Sequence, residues 1–252
     1  MKERELLIAA AIEAEGNYFE IRRLLAEKRI GLPSGKLPEA VTILDGEYPA
    51  ELRELKFPPF VLFCQGNKEL LKTRKASIVG SRQASEYGYY VTAKTVGWLK
   101  KDYTLVSGMA KGIDAAVHWQ AERTIGVLGN GLNVVYPREN RELYEYMKDR
   151  QLLITEYPAN VKPARYHFPF RNRIIAALGE KTVVCQARVK SGTMLTVNEA
   201  LNLGREVWTV PYAIDDIDGS GCNYLIQQGA DILWWNYLKD EVMPFDKNEK
   251  FY

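Results

Sequence analysis

The chain has 252 residues, of which 46% are apolar and 26% are charged, a composition typical of a globular protein with a substantial core. No apolar run is long enough to span a bilayer, and the mixed acidic and basic start at residues 1–5 is unlike a signal peptide, so we expect a cytoplasmic protein without a membrane partner. A net charge of +2 is too small to attract nucleic acid through its overall field, so any anion site must be local.

Cysteine and histidine are too few to predict a disulfide framework or a zinc site. The three cysteines, Cys64, Cys185 and Cys222, are widely spaced, and the histidines are His118 and His167. We therefore expect no metal and no cofactor, and we interpret the cysteines as small core or loop residues.

The first 38 residues predict a small helical segment and a linker. Residues Glu5–Glu15 and Tyr18–Lys28 have the spacing of two short helices, and residues 31–38 are rich in glycine and proline. We therefore divide the chain into an N-terminal helical segment, residues 1–38, which is too small to fold alone, and a main domain with a C-terminal tail, residues 39–252.

Beyond residue 39, short apolar runs alternate with helix-like patterns. Two runs, Val41–Leu44 and Phe60–Phe63, are predicted to pack at a sheet edge. Apolar strands separated by helices are typical of a parallel sheet covered on both faces, so the predicted fold class is α/β, doubly wound and mainly parallel. The six predicted strands are Ala76–Val79, Thr104–Val106, Thr124–Leu128, Leu152–Thr155, Thr182–Gln186 and Glu206–Val210.

Two strand-to-helix turns each combine glycine with a cation. Gly80-Ser81-Arg82 precedes a predicted helix at Tyr87–Lys100, and Ser107-Gly108 with Lys111 precedes one at Ala115–Arg123. Glycine lets the backbone approach a ligand, a helix N-terminus favours an anion, and arginine adds a guanidinium. Either turn alone is equally well a tight connection, but the pair predicts phosphate binding at the carboxyl edge of the sheet. Neither turn matches the dinucleotide fingerprint or a Walker loop.

Positive charge is concentrated between residues 162 and 190, where seven cations face the single acid Glu180. Aromatic residues lie among them at positions 166–170. Cations along a sheet edge can bind successive phosphates, and aromatic rings can stack on bases. This combination indicates binding of single-stranded nucleic acid. Two alternatives stay open: Phe168 and Phe170 as core residues, and Arg171 and Arg173 as partners of acidic side chains.

Five ordered motifs resemble the DprA/Smf family. They are Ile-Val-Gly-Ser-Arg at 78–82, Ser-Gly-Met-Ala-Lys-Gly-Ile-Asp at 107–114, Gly-Leu-Asn-Val-Val-Tyr-Pro at 131–137, His-Phe-Pro-Phe-Arg-Asn-Arg-Ile-Ile-Ala at 167–176 and Ser-Gly-Thr at 191–193. The resemblance covers most of residues 41–233. It implies a Rossmann-like domain that binds single-stranded DNA, forms a homodimer and helps to load RecA in natural transformation and recombination. Compared with the fuller family pattern, the N-terminal domain is abbreviated, and no winged-helix domain is expected after Leu233.

The resemblance also assigns DNA-binding residues to the two glycine turns, to a basic loop and to the turn before the last predicted crossover helix. Many relatives have arginine where Lys111 stands. The assigned residues are Gly80, Ser81, Arg82, Ser107, Gly108, Lys111, Phe170, Arg171, Asn172, Arg173, Lys190, Ser191 and Gly192.

An apolar cluster near the C-terminus predicts the dimer interface. Its members are Leu225, Ile226, Ile232 and Leu233, followed by Trp234-Trp235. Apolar surface of this kind usually marks an interface, and the alternative is that the tryptophans cover the edge of their own sheet.

The competing hypothesis is a nucleotide-hydrolysing enzyme, because lysine-decarboxylase-like hydrolases resemble this fold and use a Gly-Gly-x-Gly-Thr-x-x-Glu motif. Aligned on Gly192-Thr193, the glutamate position holds Thr196, while Glu199 lies three residues further on, where helical spacing still allows it to face the pocket. We assign Asp114 to a structural role and His118 to helix packing, so no catalytic constellation remains and no enzyme is expected. A module that senses a small nucleotide is the third alternative.

Overall fold

The computed structural model describes residues 2–31, 35 and 37–234, and in these ranges the chain forms one sheet of nine strands in the order β1-β2-β6-β5-β4-β3-β7-β8-β9. Strands β3 to β9 run parallel to one another, whereas β1 pairs antiparallel with β2, and β2 pairs antiparallel with β6. The strands are β1 Ala40–Thr42, β2 Val61–Gly66, β3 Lys75–Gly80, β4 Thr104–Ser107, β5 Thr124–Val127, β6 Leu152–Thr155, β7 Lys181–Gln186, β8 Glu206–Thr209 and β9 Asp231–Ile232.

Helices cover both faces of this sheet. The chain moves outward from β3 to β6 and then returns to β7 on the other side of β3. Because parallel crossovers are right-handed, the two halves place their helices on opposite faces. Helices α3, α4 and α5 pack side by side on one face, and α6 packs against α7 on the other. This arrangement confirms the predicted doubly wound α/β class. The helices are α1 Lys2–Glu13, α2 Tyr18–Ala26, α3 Glu86–Leu99, α4 Ile113–Gln120, α5 Arg141–Arg150, α6 His167–Leu178, α7 Gly192–Asn202 and α8 Ser220–Gln227.

The segment before β7 differs from the prediction. The motif at residues 170–173 was expected to form a basic loop, but α6 begins at His167 and includes both of its arginines. Pro169 is compatible with this helix because it lies in the first turn, where a backbone N–H has no helical partner. Residues 170–173 are therefore held on a packed helix.

The N-terminal helices share a hydrophobic core with the sheet. Ile8 on α1 and Leu24 on α2 pack in one cluster with Phe63 on β2 and Tyr144 on α5. A second cluster, centred on β3, β4 and β7, fills the rest of the interior. The division into domains at residue 38 stays a prediction, but the helical segment is part of a continuous core.

The cysteines occupy the interior, and burial raises the pKa of the Cys64 and Cys185 thiols to about 12. Within the described ranges, no helix has the length and apolar character required to cross a bilayer.

Candidate nucleic-acid interface

The two glycine turns lie directly against each other at the carboxyl edge of the sheet. The Ile113 N–H, at the start of α4, donates to the Ser81 carbonyl oxygen at 3.1 Å. Gly112 has a φ of +75°, and a Cβ there would collide with that same carbonyl oxygen. A Cβ on Gly80 would likewise collide with the Ile113 side chain. These glycines are therefore required for the contact that brings Arg82 and Lys111 to one edge.

A cavity of about 110 Å³ opens between the loops after β3, β4 and β5 and the start of α6. Arg82, Lys111 and Arg171 line it together with the rings of Tyr136 and Phe168. The two rings lie 5.5 Å apart between centroids and are tilted by 33°. Cations and aromatic faces therefore converge at this point. Tyr136 belongs to the motif at 131–137 but was not assigned a binding role from the sequence.

Arg82 is the most available cation of this cavity. Its side chain is exposed and makes no ion pair or hydrogen bond with any other residue that the structure describes. Its guanidinium carbon lies 5.6 Å from the centroid of the Phe168 ring. A phosphate placed here would meet an unpaired guanidinium beside an aromatic face.

Lys111 makes an exposed ion pair with Glu139 across the mouth of the same cavity. Half of the Lys111 side chain and 61% of that of Glu139 are open to solvent. Exposed pairs of this kind contribute little to stability, so Lys111 can exchange its partner for a phosphate at little cost.

Arg171 is buried at the inner wall of the cavity. It is only 5% exposed, its Nη1 donates to the Val127 carbonyl oxygen, and its Nε has no hydrogen-bond partner in the described part of the chain. Burial lowers the Arg171 pKa, and the nearby Asp114 carboxylate opposes that change. Burial likewise raises the pKa of Asp114, and Arg171 opposes it. The two charges stabilise each other beneath the site, which agrees with the structural role expected for Asp114.

Gly108 makes room for this charge pair. A Cβ at this position would collide with the Asp114 carboxylate and with the Arg171 guanidinium. His118 supports the same turn, because its Nε2 donates to the Gly108 carbonyl oxygen at 2.6 Å. Burial lowers the His118 pKa to about 4, so the ring is neutral and acts as a packed helix residue, as predicted. Ser107 is also buried, and its hydroxyl donates to the Ile78 carbonyl oxygen at 2.7 Å.

Arg173 is enclosed within the protein. Its Nη1 and Nη2 donate to the two carboxylate oxygens of Glu156, each at 2.6 Å, and its Nε donates to the Phe57 carbonyl oxygen at 3.0 Å. Its guanidinium carbon lies 3.7 Å from the centroid of the Phe170 ring. The sequence left open whether Arg173 binds DNA or pairs with an acidic side chain. The structure supports the pairing, with Glu156 as the partner. Every hydrogen bond of this guanidinium is therefore made inside the protein, and its assignment as a DNA contact stays a prediction.

Phe170 and Asn172 also take part in internal contacts. Phe170 is half-buried, and its ring centroid lies 6.4 Å from those of Tyr18 and Phe57. Asn172 is 9% exposed, and its amide donates to the Gly192 carbonyl oxygen at 3.4 Å. These residues connect α6 to the N-terminal helices and to the start of α7.

The turn before α7 extends the basic edge beyond the cavity. Lys190 is exposed and has no ion pair with a residue of the described ranges, and Gly192 is exposed as well. Ser191 precedes α7 without capping it through its side chain. The Thr193 hydroxyl donates to the Gly80 carbonyl oxygen at 3.0 Å and so ties this turn to the first one. Arg82 and Lys190 therefore lie on adjoining turns.

The residues weighed for hydrolysis are placed elsewhere. Thr196 is buried at 3% exposure, and Glu199 on α7 lines neither this cavity nor the larger one beside the N-terminal helices. Within the described residues, no group of three metal-ligating side chains comes together.

The predicted interface residues separate into two groups. Leu225 and Leu233 are 3% and 4% exposed and pack in the protein's own core, so they are not free to form an interface. Ile226 is half-buried, whereas Ile232 is 40% exposed. Trp234 is 58% exposed, and Trp235 lies outside the described residues.

The fold and this edge define a class of protein. The doubly wound sheet makes this a Rossmann-like α/β protein, and its carboxyl edge carries two packed glycine turns, an aromatic-lined cavity and an arginine without an ion pair in the described residues. Comparison with known proteins makes the class specific. The model of the DNA recombination-mediator protein A family matches residues 39–242, and the chain belongs to this family, as its resemblance to DprA/Smf proteins predicted.

Individual relatives agree with this assignment. The chain is 41% identical to the DNA processing protein DprA of Streptococcus pneumoniae over 196 residues, which is 76% of this chain and 70% of the relative. It is 40% identical to DprA of Bacillus subtilis over 240 residues, 92% of this chain and 79% of that protein.

Two solved structures share the fold. The structure of the Streptococcus pneumoniae protein matches with a TM-score of 0.75 at 40% identity, covering 77% of this chain and 70% of that one. The structure of DNA processing protein A from Helicobacter pylori matches with a TM-score of 0.72 at 27% identity, covering 78% of this chain and 92% of that one. That protein has a described single-stranded DNA binding mode.

Proposed function

We propose that this protein binds single-stranded DNA along the carboxyl edge of its sheet and acts as a recombination mediator that presents the strand to RecA. The observation that carries the proposal is the exposed guanidinium of Arg82, which has no ion pair in the described part of the chain and lies at a cavity with Phe168 and Tyr136. Membership of the DNA recombination-mediator protein A family and the single-stranded DNA binding of the Helicobacter pylori relative support it. A cytoplasmic location belongs to the same proposal.

The chemistry of this edge suits a flexible, single-stranded polyanion. Arg82, Lys111 and Lys190 offer cations to successive phosphates. Phe168 and Tyr136 offer ring faces, which need unpaired bases for stacking. Contacts of this kind do not read base edges, so we expect little sequence preference.

These residues support the binding of DNA without a chemical reaction. A general acid or base must reach the reacting bond, but Asp114 is buried beneath the site and compensated by Arg171, and Glu199 lines neither cavity. We therefore propose that the protein is not an enzyme.

Fluorescence anisotropy with labelled oligo-dT and a duplex of equal length, each at two salt concentrations, tests the proposal. The single strand should bind more tightly, and its affinity should fall steeply with salt because phosphate contacts release counterions. RecA filaments should form faster on DNA coated with this protein. Equal affinity for duplex and single strand would contradict the stacking mechanism, and unchanged filament formation would contradict the mediator role.

We also propose a homodimer formed through the C-terminal part of the sheet. Several large apolar side chains are exposed there: Ile214, Ile217, Tyr224, Ile232 and Trp234. Ile232→Asp should shift the protein from dimer to monomer in light scattering at micromolar concentration, because a charge would enter an apolar contact. Ile12→Asp is the matched control, since Ile12 is similarly exposed at 42% but lies on α1. A dimer that survives Ile232→Asp would place the interface elsewhere.

A further inference from the structure

A second, larger cavity of about 710 Å³ lies between the N-terminal helices and the segment that leads into α6. Residues 14–19, at the turn from α1 to α2, line one side of it. The other side is lined by Tyr157 and by residues of the stretch 160–170. We call this cavity the N-terminal groove. The proposed function does not use it.

Aromatic rings flank the N-terminal groove on both sides. His167 stacks on the buried Tyr157, with ring centroids 4.0 Å apart and an interplanar angle of 24°. Tyr166 meets His167 edge to face and is itself 70% exposed. Phe19, across the groove on α2, is 59% exposed and packs by its edge against Tyr18 and Phe57. Two large rings are thus held in position with most of their surface open to solvent.

The charge of the groove suits an anionic strand. Lys162 lines it, Arg165 is next to it in the chain, and both are exposed without an ion pair to any residue in the described ranges. Glu15 is the only acidic residue among the lining residues. Burial lowers the pKa of His167, so its ring is neutral near pH 7 and suited to stacking.

The groove and the cavity at Arg82 share a wall. Phe168 lines the cavity at Arg82, while its neighbour His167 lines the groove. The His167 Nδ1 lies 3.0 Å from the carbonyl oxygen of Gly129, another residue of the first cavity. The first turn of α6 therefore separates the two sites, and a strand that leaves Arg82 has a short path into the groove.

We infer that the N-terminal groove is a second subsite for single-stranded nucleic acid, in which bases stack on Tyr166 and Phe19 while Lys162 meets a phosphate. This inference rests on the proposed function, because it extends the strand held at Arg82. It makes the N-terminal helical segment part of the binding surface. Short strands fill the cavity at Arg82 alone, and longer strands occupy both sites.

A series of labelled oligo-dT lengths tests the subsite with Phe19→Ala and Tyr166→Ala. Each variant should bind a long strand about tenfold more weakly than the wild type, because base stacking on one ring is lost. The shortest strand that the wild type binds should show no change. A long strand that lacks bases only in the segment reaching the groove should bind the wild type about as weakly as an intact long strand binds the double variant Phe19→Ala/Tyr166→Ala. The double variant should not distinguish the two strands. Trp119→Ala is the control, since Trp119 is 52% exposed on α4 and lines neither cavity.

Both test residues are mostly exposed, so the variants should unfold at the wild-type temperature, which circular dichroism checks. If the wild type binds long oligo-dT and both variants bind it equally well, the inference fails while the proposed function stands. Equal weakening of short and long strands would show that the groove is not a separate subsite. If the wild type binds no single strand of any length, the proposed function fails and the inference with it.

Discussion

Arg82→Ala should weaken the binding of single-stranded DNA by about 10-fold to 100-fold, the largest effect on binding that we expect from one substitution. A hydrogen bond to a charged group contributes about 1.5–3 kcal/mol, and about 1.4 kcal/mol corresponds to a factor of ten in affinity. Because Arg82 is exposed and unpaired within the described residues, its removal should leave the stability of the fold unchanged. The slope of log affinity against log salt should shrink by about 0.7, as one phosphate contact is lost.

Arg74→Ala is the matched control for this substitution. Arg74 is an exposed arginine that immediately precedes β3, whereas Arg82 follows the other end of the same strand. Anisotropy titrations should show wild-type affinity for Arg74→Ala. If both variants bind equally weakly, affinity follows overall charge and not the carboxyl edge. If Arg82→Ala retains both affinity and salt slope, Arg82 lies outside the site.

The carboxyl edge could be predicted from sequence because its signals are local. A buried parallel strand reads as a short apolar run, and the glycine and cation that follow it in the chain also follow it in space. Predicted Leu152–Thr155 coincides with β6, and predicted Thr104–Val106 differs from β4 by one residue. Gly112 shows the limit of this approach. Its positive φ serves the contact with Ser81, a residue of the neighbouring turn that no local pattern connects to it.

The roles of the α6 arginines could not be predicted in this way, since they depend on partners distant in the chain. Arg171 and Arg173 lie two residues apart in one basic motif, yet one lines a cavity and the other is enclosed. Glu156, which pairs with Arg173, lies on the preceding connection, and Phe57 comes from before β2. Counting charges along the sequence does not distinguish Arg171 from Arg173. Tertiary packing decides which of the two lines a cavity and which is enclosed.

The N-terminal groove was missed for a similar reason. Phe19 belongs to the apolar pattern of α2, which usually marks a face that packs inward, but its side chain is 59% exposed beside the segment 160–170. Helical periodicity identifies an apolar face without showing what covers it. Leu225 and Leu233 show the converse case. They were predicted to lie at a dimer interface, but they pack in the protein's own core.

Glu156→Gln should destabilise the protein by about 3–5 kcal/mol, the largest effect on stability that we expect. The Glu156 and Arg173 side chains are only 6% and 5% exposed and pair through two hydrogen bonds of 2.6 Å. Removing one partner of a buried ion pair leaves the other charge without compensation in a poorly solvated environment. The free energy of unfolding, measured by urea denaturation, should report this loss.

Glu180→Gln is the matched comparison, because Glu180 also forms a bidentate pair with an arginine, Arg74. This pair lies on the surface, where the Glu180 side chain is 44% exposed and that of Arg74 is 62% exposed. Glu180→Gln should lower the free energy of unfolding much less than Glu156→Gln does, because water screens the exposed pair. Adding Arg173→Met to Glu156→Gln should restore part of the loss, since no unpaired buried charge remains and methionine retains apolar contact with Phe170. If Glu156→Gln is no more destabilising than Glu180→Gln, the enclosed pair does not hold α6 in place. If Arg173→Met weakens DNA binding while leaving stability intact, Arg173 contacts DNA after all, and the sequence-based assignment was right.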